Sequence, residues 1–149
     1  MNNKYIISKF IQKSDAYYEL HWTALEEADK YKINAQVPAM SGIYELYYKD
    51  DEGKLQLLDV DMAYYGGLRN RIREIIDPEL EIVDIERRKI LSDYPLYFRF
   101  SLCDYLDDMK DTLSVYLEIR FPDWEGEEAS GRYPNVFVKE ISPDRIYDS

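Results

Sequence analysis

Between Ser41 and Leu102 the apolar positions of the chain change period twice. "GIYELYY" and "LQLLDVDMAYY" are dense in β-branched, aromatic and aliphatic residues, and "KDDEGK" between them centres on Gly53. Residues 42–48 and 57–65 therefore read as the two strands of a hairpin. At Gly66-Gly67 the period lengthens. Leu68, Ile72, Ile75 and Ile76 stand at i, i+4, i+7 and i+8, the apolar face of a short helix over 68–76 that Asp77-Pro78 stops. "PLYFRFSLC" returns to period two, with Leu96, Phe98, Phe100 and Leu102 on one face of a strand over 96–102.

The flanks read less uniformly. Ser14 can cap a helix running to about Tyr31, with Asp15 in its first turn and an apolar stripe of Tyr17, Leu20, Ala24, Leu25 and Ala28. Pro38 and Gly42 break it, so residues 1–36 read as an N-terminal helical extension and 37–149 as the main domain. "LEIVDIERRKILSDY" fits a strand passing into a helical turn. "DYLDDMKDTLSVYLEIRFPDW" fits either a helix, with Leu106, Met109, Leu113, Leu117 and Phe121 on one side, or an alternating strand over "LSVYLEIRF"; local pattern does not decide. After Pro122 a turn and a short final strand are expected. The fold class is α+β, a small antiparallel sheet flanked by helices.

Composition narrows the chemistry. With 46% hydrophobic residues in 149, the chain can bury a core without staples. A single cysteine, Cys103, excludes an internal disulfide and a cysteine-based zinc site. No stretch approaches about 18 apolar residues, and the start, "MNNKYIISKFIQKSD", is too interrupted for a signal peptide. The expectation is a cytoplasmic protein with no membrane contact. The 19 Lys+Arg face 30 Asp+Glu, a formal net charge of −11. That balance argues against a general nucleic-acid binder, which needs a basic footprint. Against that background the cluster Arg69, Arg71 and Arg73 is unexpected. On the helical wheel Arg71 sits alone at one edge of the apolar face, and Arg69 and Arg73 share the opposite flank.

The ordered set of hairpin, arginine helix, strand, helix and late asparagine resembles the GIY-YIG nuclease superfamily. "GIY" stands at Gly42-Ile43-Tyr44, and "YYG" at Tyr64-Tyr65-Gly66 matches the second half-motif, with Tyr65 where an aliphatic residue is usual. "LRNRI" supplies the Leu-x-x-Arg step, "VYLEIRF" offers Glu118, and "RYPNVF" offers Asn135. The match spans about Val37 to Val138. It departs from the family in the 19 residues between Tyr44 and Tyr64, a short turn before Arg71, and no counterpart of the histidine some members use. By analogy it favours a helix over 108–121.

The resemblance implies a metal-dependent endonuclease that hydrolyses a nucleic-acid phosphodiester. Tyr44 would help deprotonate water with Tyr64 assisting, Arg71 would grip the phosphate, and Glu118 would hold Mg2+ or Mn2+, whose shell tolerates water and phosphate oxygens. Gly42, Gly66, Arg69, Arg73 and Asn135 would line the substrate site, and the partner would be nucleic acid, DNA foremost, held through a local basic patch. Each residue also has a structural reading: cross-strand packing for the tyrosines, strand ends for the glycines, an ion pair for Arg71, a solvated helix carboxylate for Glu118. The run from Asp104 to Glu128 carries nine carboxylates. It admits the alternative of a catalytically silent GIY-YIG-like protein that binds a basic protein partner, imitating nucleic-acid charge. A third reading is an ordinary acidic α+β interaction domain. No P-loop, zinc spacing, histidine triad or dinucleotide glycine pattern competes.

Overall fold

The computed structural model describes residues 5–123 and 128–146. In chain order the elements are β1 (Ser8–Gln12), β2 (Asp15–His21), β3 (Glu26–Glu27), α1 (Lys30–Gln36), β4 (Gly42–Lys49), β5 (Leu55–Ala63), α2 (Gly67–Ile75), α3 (Ile85–Asp93), β6 (Leu96–Leu102), α4 (Leu106–Arg120) and β7 (Val136–Ile141). They make two sheets, one of four strands in the order β3-β6-β4-β5 and one of three in the order β1-β2-β7. The fold is α+β. Among the described residues no helix is long and apolar enough to cross a membrane.

The expected hairpin forms: β4 and β5 run antiparallel with Gly42 opposite Ala63 and Tyr44 opposite Asp61, and β6 pairs antiparallel with β4 on its other side. Because β4 lies between two neighbours, its alternation sends side chains into two different cores. Tyr44 and Leu46 join Phe98, Phe100 and Leu102 beneath Ile33 and Val37 of the α1 region, Leu68 and Ile72 of α2, and Leu91 of α3. Ile43, with Val60, meets Met109, Leu113, Tyr116 and Leu117 of α4 and Ala16, Tyr18 and Leu20 of β2. The molecule is thus layered: helices α1–α3, the four-stranded sheet, then α4 with the three-stranded sheet. Helix α2 buries Leu68 and Ile72 as its period requires, with Ile75 partly buried against the same cluster. Helix α4 resolves the ambiguous segment as helical, with Asp107 and Asp108 in its first turn and Arg120 in its last, each favourable to the dipole. The final strand is present as β7.

The N-terminal helical extension is corrected. Ala16, Tyr18, Leu20 and Trp22 are buried while Tyr17, which the helical stripe placed in the core, is 38% exposed. Period two, not 3.6, organises this stretch. Ser14 is no helix cap: Lys13 (φ 51°) and Ser14 (φ 72°) are the two left-handed residues of a tight β1–β2 turn. Nor is the segment an appendage, since β2 pairs in parallel with β7, Ala16 opposite Val136. Helix begins only at Lys30, capped by the Asp29 carboxylate, which accepts from the Lys32 N–H at 2.9 Å. Residues 80–94 become a loop and α3; no strand forms there. That helix buries only Leu91, so it had no apolar stripe to read. Of the acidic run, residues 124–127 lie outside the described residues.

Candidate functional site

The register of β4 against β5 places Tyr44 beside two carboxylates. On β5, Asp59 and Asp61 alternate with Val60, so both face the α1–α3 side that receives Tyr44. The Tyr44 hydroxyl donates to Asp59 Oδ2 at 3.1 Å, and Arg71 Nε, one helical turn into α2, donates to the Tyr44 oxygen at 3.3 Å. Arg71 Nη2 also stands 4.0 Å from Asp61 Oδ2. From α3, Arg87 pairs with Asp59 at 3.7 Å and donates to the Leu58 carbonyl at 3.0 Å, closing the free edge of β5. The result is a chain of alternating charge, Arg87–Asp59–Tyr44–Arg71–Asp61.

Electrostatics follow from that geometry. Burial, reinforced by Asp59, pushes the Tyr44 phenol well above its ordinary range. Burial also raises Asp59, against the pull of Arg87 and the Tyr44 hydroxyl. The hydrogen bond to Tyr44 holds Arg71 more firmly charged. A phenol that is raised and already donating to a carboxylate keeps its proton at neutral pH. Tyr44 thus points its hydroxyl proton at Asp59 and its oxygen lone pair at Arg71. Arg71 keeps one face in solvent, its side chain 46% exposed, while Asp61 shares that opening at 44%.

The remaining expected residues do not gather here. Tyr64 packs edge-on against Tyr65, ring centroids 5.0 Å apart, and lines a separate cleft of about 460 Å3 with Lys9, Asp104, Tyr105 and Arg132. Glu118 is exposed on α4, the helix that covers the opposite face of the four-stranded sheet. Asn135 precedes β7 and donates to Asp15 at 3.1 Å. Arg69 donates to the Val37 carbonyl at 2.7 Å and fastens α2 to the α1 connection. Arg73 is exposed beside Lys30 and Asp77. Gly42 is required by packing, because a β-carbon there would run into the Ser101 carbonyl and the Leu68 side chain. Gly66 (φ 80°) supplies the left-handed turn into α2.

A divalent ion at Tyr44 and Arg71 would need ligands gathered on that side of the sheet. Among the described residues no group of three or more His, Cys, Asp or Glu side chains is arranged to hold one. Glu118, the expected ligand, stands across the sheet from Tyr44 and Arg71. The physical reason is the crossover after β6: α4 returns over the face that Ile43 and Val60 present, not the face of Tyr44.

A family model whose description reads only "uncharacterised protein" matches residues 6–149. The chain belongs to that family. No curated protein and no solved structure matches it.

Two features of this family member escaped sequence reasoning. Asp59 and Asp61 were legible in "LLDVDMA", where acids at period two on a strand share a face with the paired Tyr44. The second is buried. Glu45, fully buried, accepts from Arg99 Nε (2.6 Å), Tyr47 (2.7 Å) and Tyr116 (2.7 Å) between the two layers. Arg99 stacks 4.3 Å over the Trp22 ring and donates to Ser142 at 3.1 Å, and Trp22 Nε1 and Arg120 both donate to Glu140. Nothing in the local pattern distinguishes Glu45 from an exposed strand residue. A smaller polar set joins Tyr18, Asp108, Asp111 and Arg132, with Lys9 on Asp108 at 3.1 Å.

Proposed function

We propose that this protein is a catalytically silent GIY-YIG-like module whose acidic surface binds a basic protein partner. One observation carries the reading: the groups that would seat a phosphate, Tyr44 and Arg71, are already engaged by Asp59 and Asp61. A phosphodiester brought to Arg71 would meet those two carboxylates at short range. Each repels a unit negative charge by about 0.8 kcal/mol at ~5 Å even with the screening of bulk water. The overall charge of −11 adds a repulsive field around the whole molecule. The same field speeds encounter with a basic surface. Asp104, just before α4, and Asp107 and Glu118 on it face solvent and leave carboxylates open to such a partner.

The second reading, a metal-dependent endonuclease acting on DNA or RNA, is favoured by the Arg71–Tyr44 hydrogen bond, which joins the two motif residues that the family resemblance links. Incubation of the purified chain with duplex, single-stranded and branched DNA and with RNA, in magnesium and in manganese, separates the two. The silent module leaves every substrate intact. Cleavage that disappears in Arg71→Ala would overturn the proposal in favour of the enzyme.

A further inference from the structure

Between α2 and α3 the chain "DPELEIVDIE" leaves Leu80, Ile82, Val83 and Ile85 exposed at 59, 80, 87 and 81%. Four large aliphatics in six residues is the densest exposed apolar stretch among the described residues, bracketed by Ile76 and Leu91, which are core. Local bonds fix both ends. Leu80 N–H reaches the Asp77 carbonyl at 3.2 Å, and Asp84 caps α3 by accepting from Arg87 N–H at 3.0 Å. Between them Ile82 and Val83 belong to no helix or strand. Acids interleave with the aliphatics: Glu79, Glu81, Asp84 and Glu86. A short irregular piece with apolar side chains on both sides and carboxylates between them has the chemistry of a strand awaiting a sheet.

We propose that the irregular segment at Ile82-Val83, with Leu80 and Ile85 at its ends, is the element by which the module seats on its partner, adding as a short strand to an open sheet edge rimmed by lysine and arginine. The inference rests on the binding reading above and names its contact. Charge complementarity selects the occupant. Five acids lie in residues 77–86 with no base among them. Asp77 has Lys30 at 4.0 Å, while Asp84 and Glu81 meet only backbone N–H groups among the described residues. A neutral or acidic edge would therefore leave net negative charge beside a desolvated apolar strip. A second copy of this chain also carries the −11 field and is repelled at approach. Main-chain pairing through Ile82 and Val83 would supply affinity, and the acids would set register against the basic rim.

The test places the photoreactive residue p-benzoylphenylalanine at Val83 in the full chain, expressed in its own cells, and separately at Ile119, exposed on α4 beside Glu118. The expected result is a covalent adduct from Val83 with a protein of net positive charge. With that protein purified, the double variant Ile82→Asp/Val83→Asp should weaken binding at least tenfold at an unchanged melting temperature. An adduct from Ile119 alone, or a variant that binds as tightly as the parent, overturns the docking role of this segment and leaves the binding reading standing. An adduct joining two copies, or one with an acidic protein, overturns the assignment of the partner. No adduct from either position overturns both readings.

Discussion

Replacing Arg99 by methionine probes the buried charge that ties the two layers together. Arg99 is 1% exposed and Glu45 fully buried, and Arg99 touches Glu45 twice at 2.6 Å, Ser142 at 3.1 Å and the Trp22 face at 4.3 Å. Methionine keeps most of the volume, so the loss is electrostatic. Glu45 would retain the Tyr47 and Tyr116 hydroxyls but lose the guanidinium in contact with it. Leaving a buried carboxylate without its cation costs about 3–5 kcal/mol, a fifth or more of a stability of ~5–15 kcal/mol. At about 2–4 °C per kcal/mol for a chain of this size, the melting temperature should fall by roughly 6–20 °C. Glu45→Gln should cost less. The amide oxygen can still accept from Tyr47, and the amide N–H can donate to the Tyr116 oxygen once its hydroxyl turns. Glu140 also stands 3.6 Å from Arg99. Arg99→Met/Glu45→Gln should be no worse than Arg99→Met, since the stranded charge is gone. Urea unfolding followed by circular dichroism gives all three values. A single-site cost under about 1 kcal/mol, or a double variant whose cost equals the sum of the singles, would refute this account of the interior.

Two further outcomes follow from particular residues. The β1–β2 turn holds Lys13 and Ser14 at positive φ, where residues bearing a β-carbon lose about 1–2 kcal/mol each. Lys13→Asn/Ser14→Gly, the pair that such a turn prefers, should raise the melting temperature by several degrees; an unchanged or lower value would mean the turn is not this one. Asp59 is raised by burial, so the folded state holds its proton more tightly than the unfolded state. That contribution is fully present below the unfolded pKa, near ~3.9, and is lost as pH rises through the folded value. Asp59→Asn should therefore gain stability relative to the parent between pH 4 and pH 7. A difference that stays flat or shrinks across that range, in thermal melts at both pH values, would contradict it.

The central elements were legible because each has one dominant period. Leu96, Phe98, Phe100 and Leu102 alternate, and Leu68 and Ile72 repeat helically, so β6 and α2 stand where expected. The stretch 15–22 was not legible. Tyr17 and Tyr18 are adjacent and equally aromatic, which hides the alternation of Ala16, Tyr18, Leu20 and Trp22, and the pairing that selects strand comes from Val136–Ile141. The helical state of α4 follows from its stripe and charges. Which face of the sheet it covers is a property of the crossover, and that property separates Glu118 from Tyr44. Asp59 and Asp61 could have been found from their spacing, while Glu45 could not, because burial on both faces of a central strand leaves no polar–apolar contrast.

The parallel pairing of β2 with β7 also has a kinetic side. Ala16 and Val136 lie 120 residues apart, so the three-stranded sheet closes only after the chain through Ile141 is available. At ribosomal rates of about 5–20 residues per second, Tyr18, Leu20 and Trp22 wait roughly 6–24 seconds for the strand that fixes them. Over that interval the β1–β2 hairpin is an aromatic ribbon with an open edge on each side, the form of chain that chaperones cover. β7, made long after β2, is the strand that covers one edge of this ribbon.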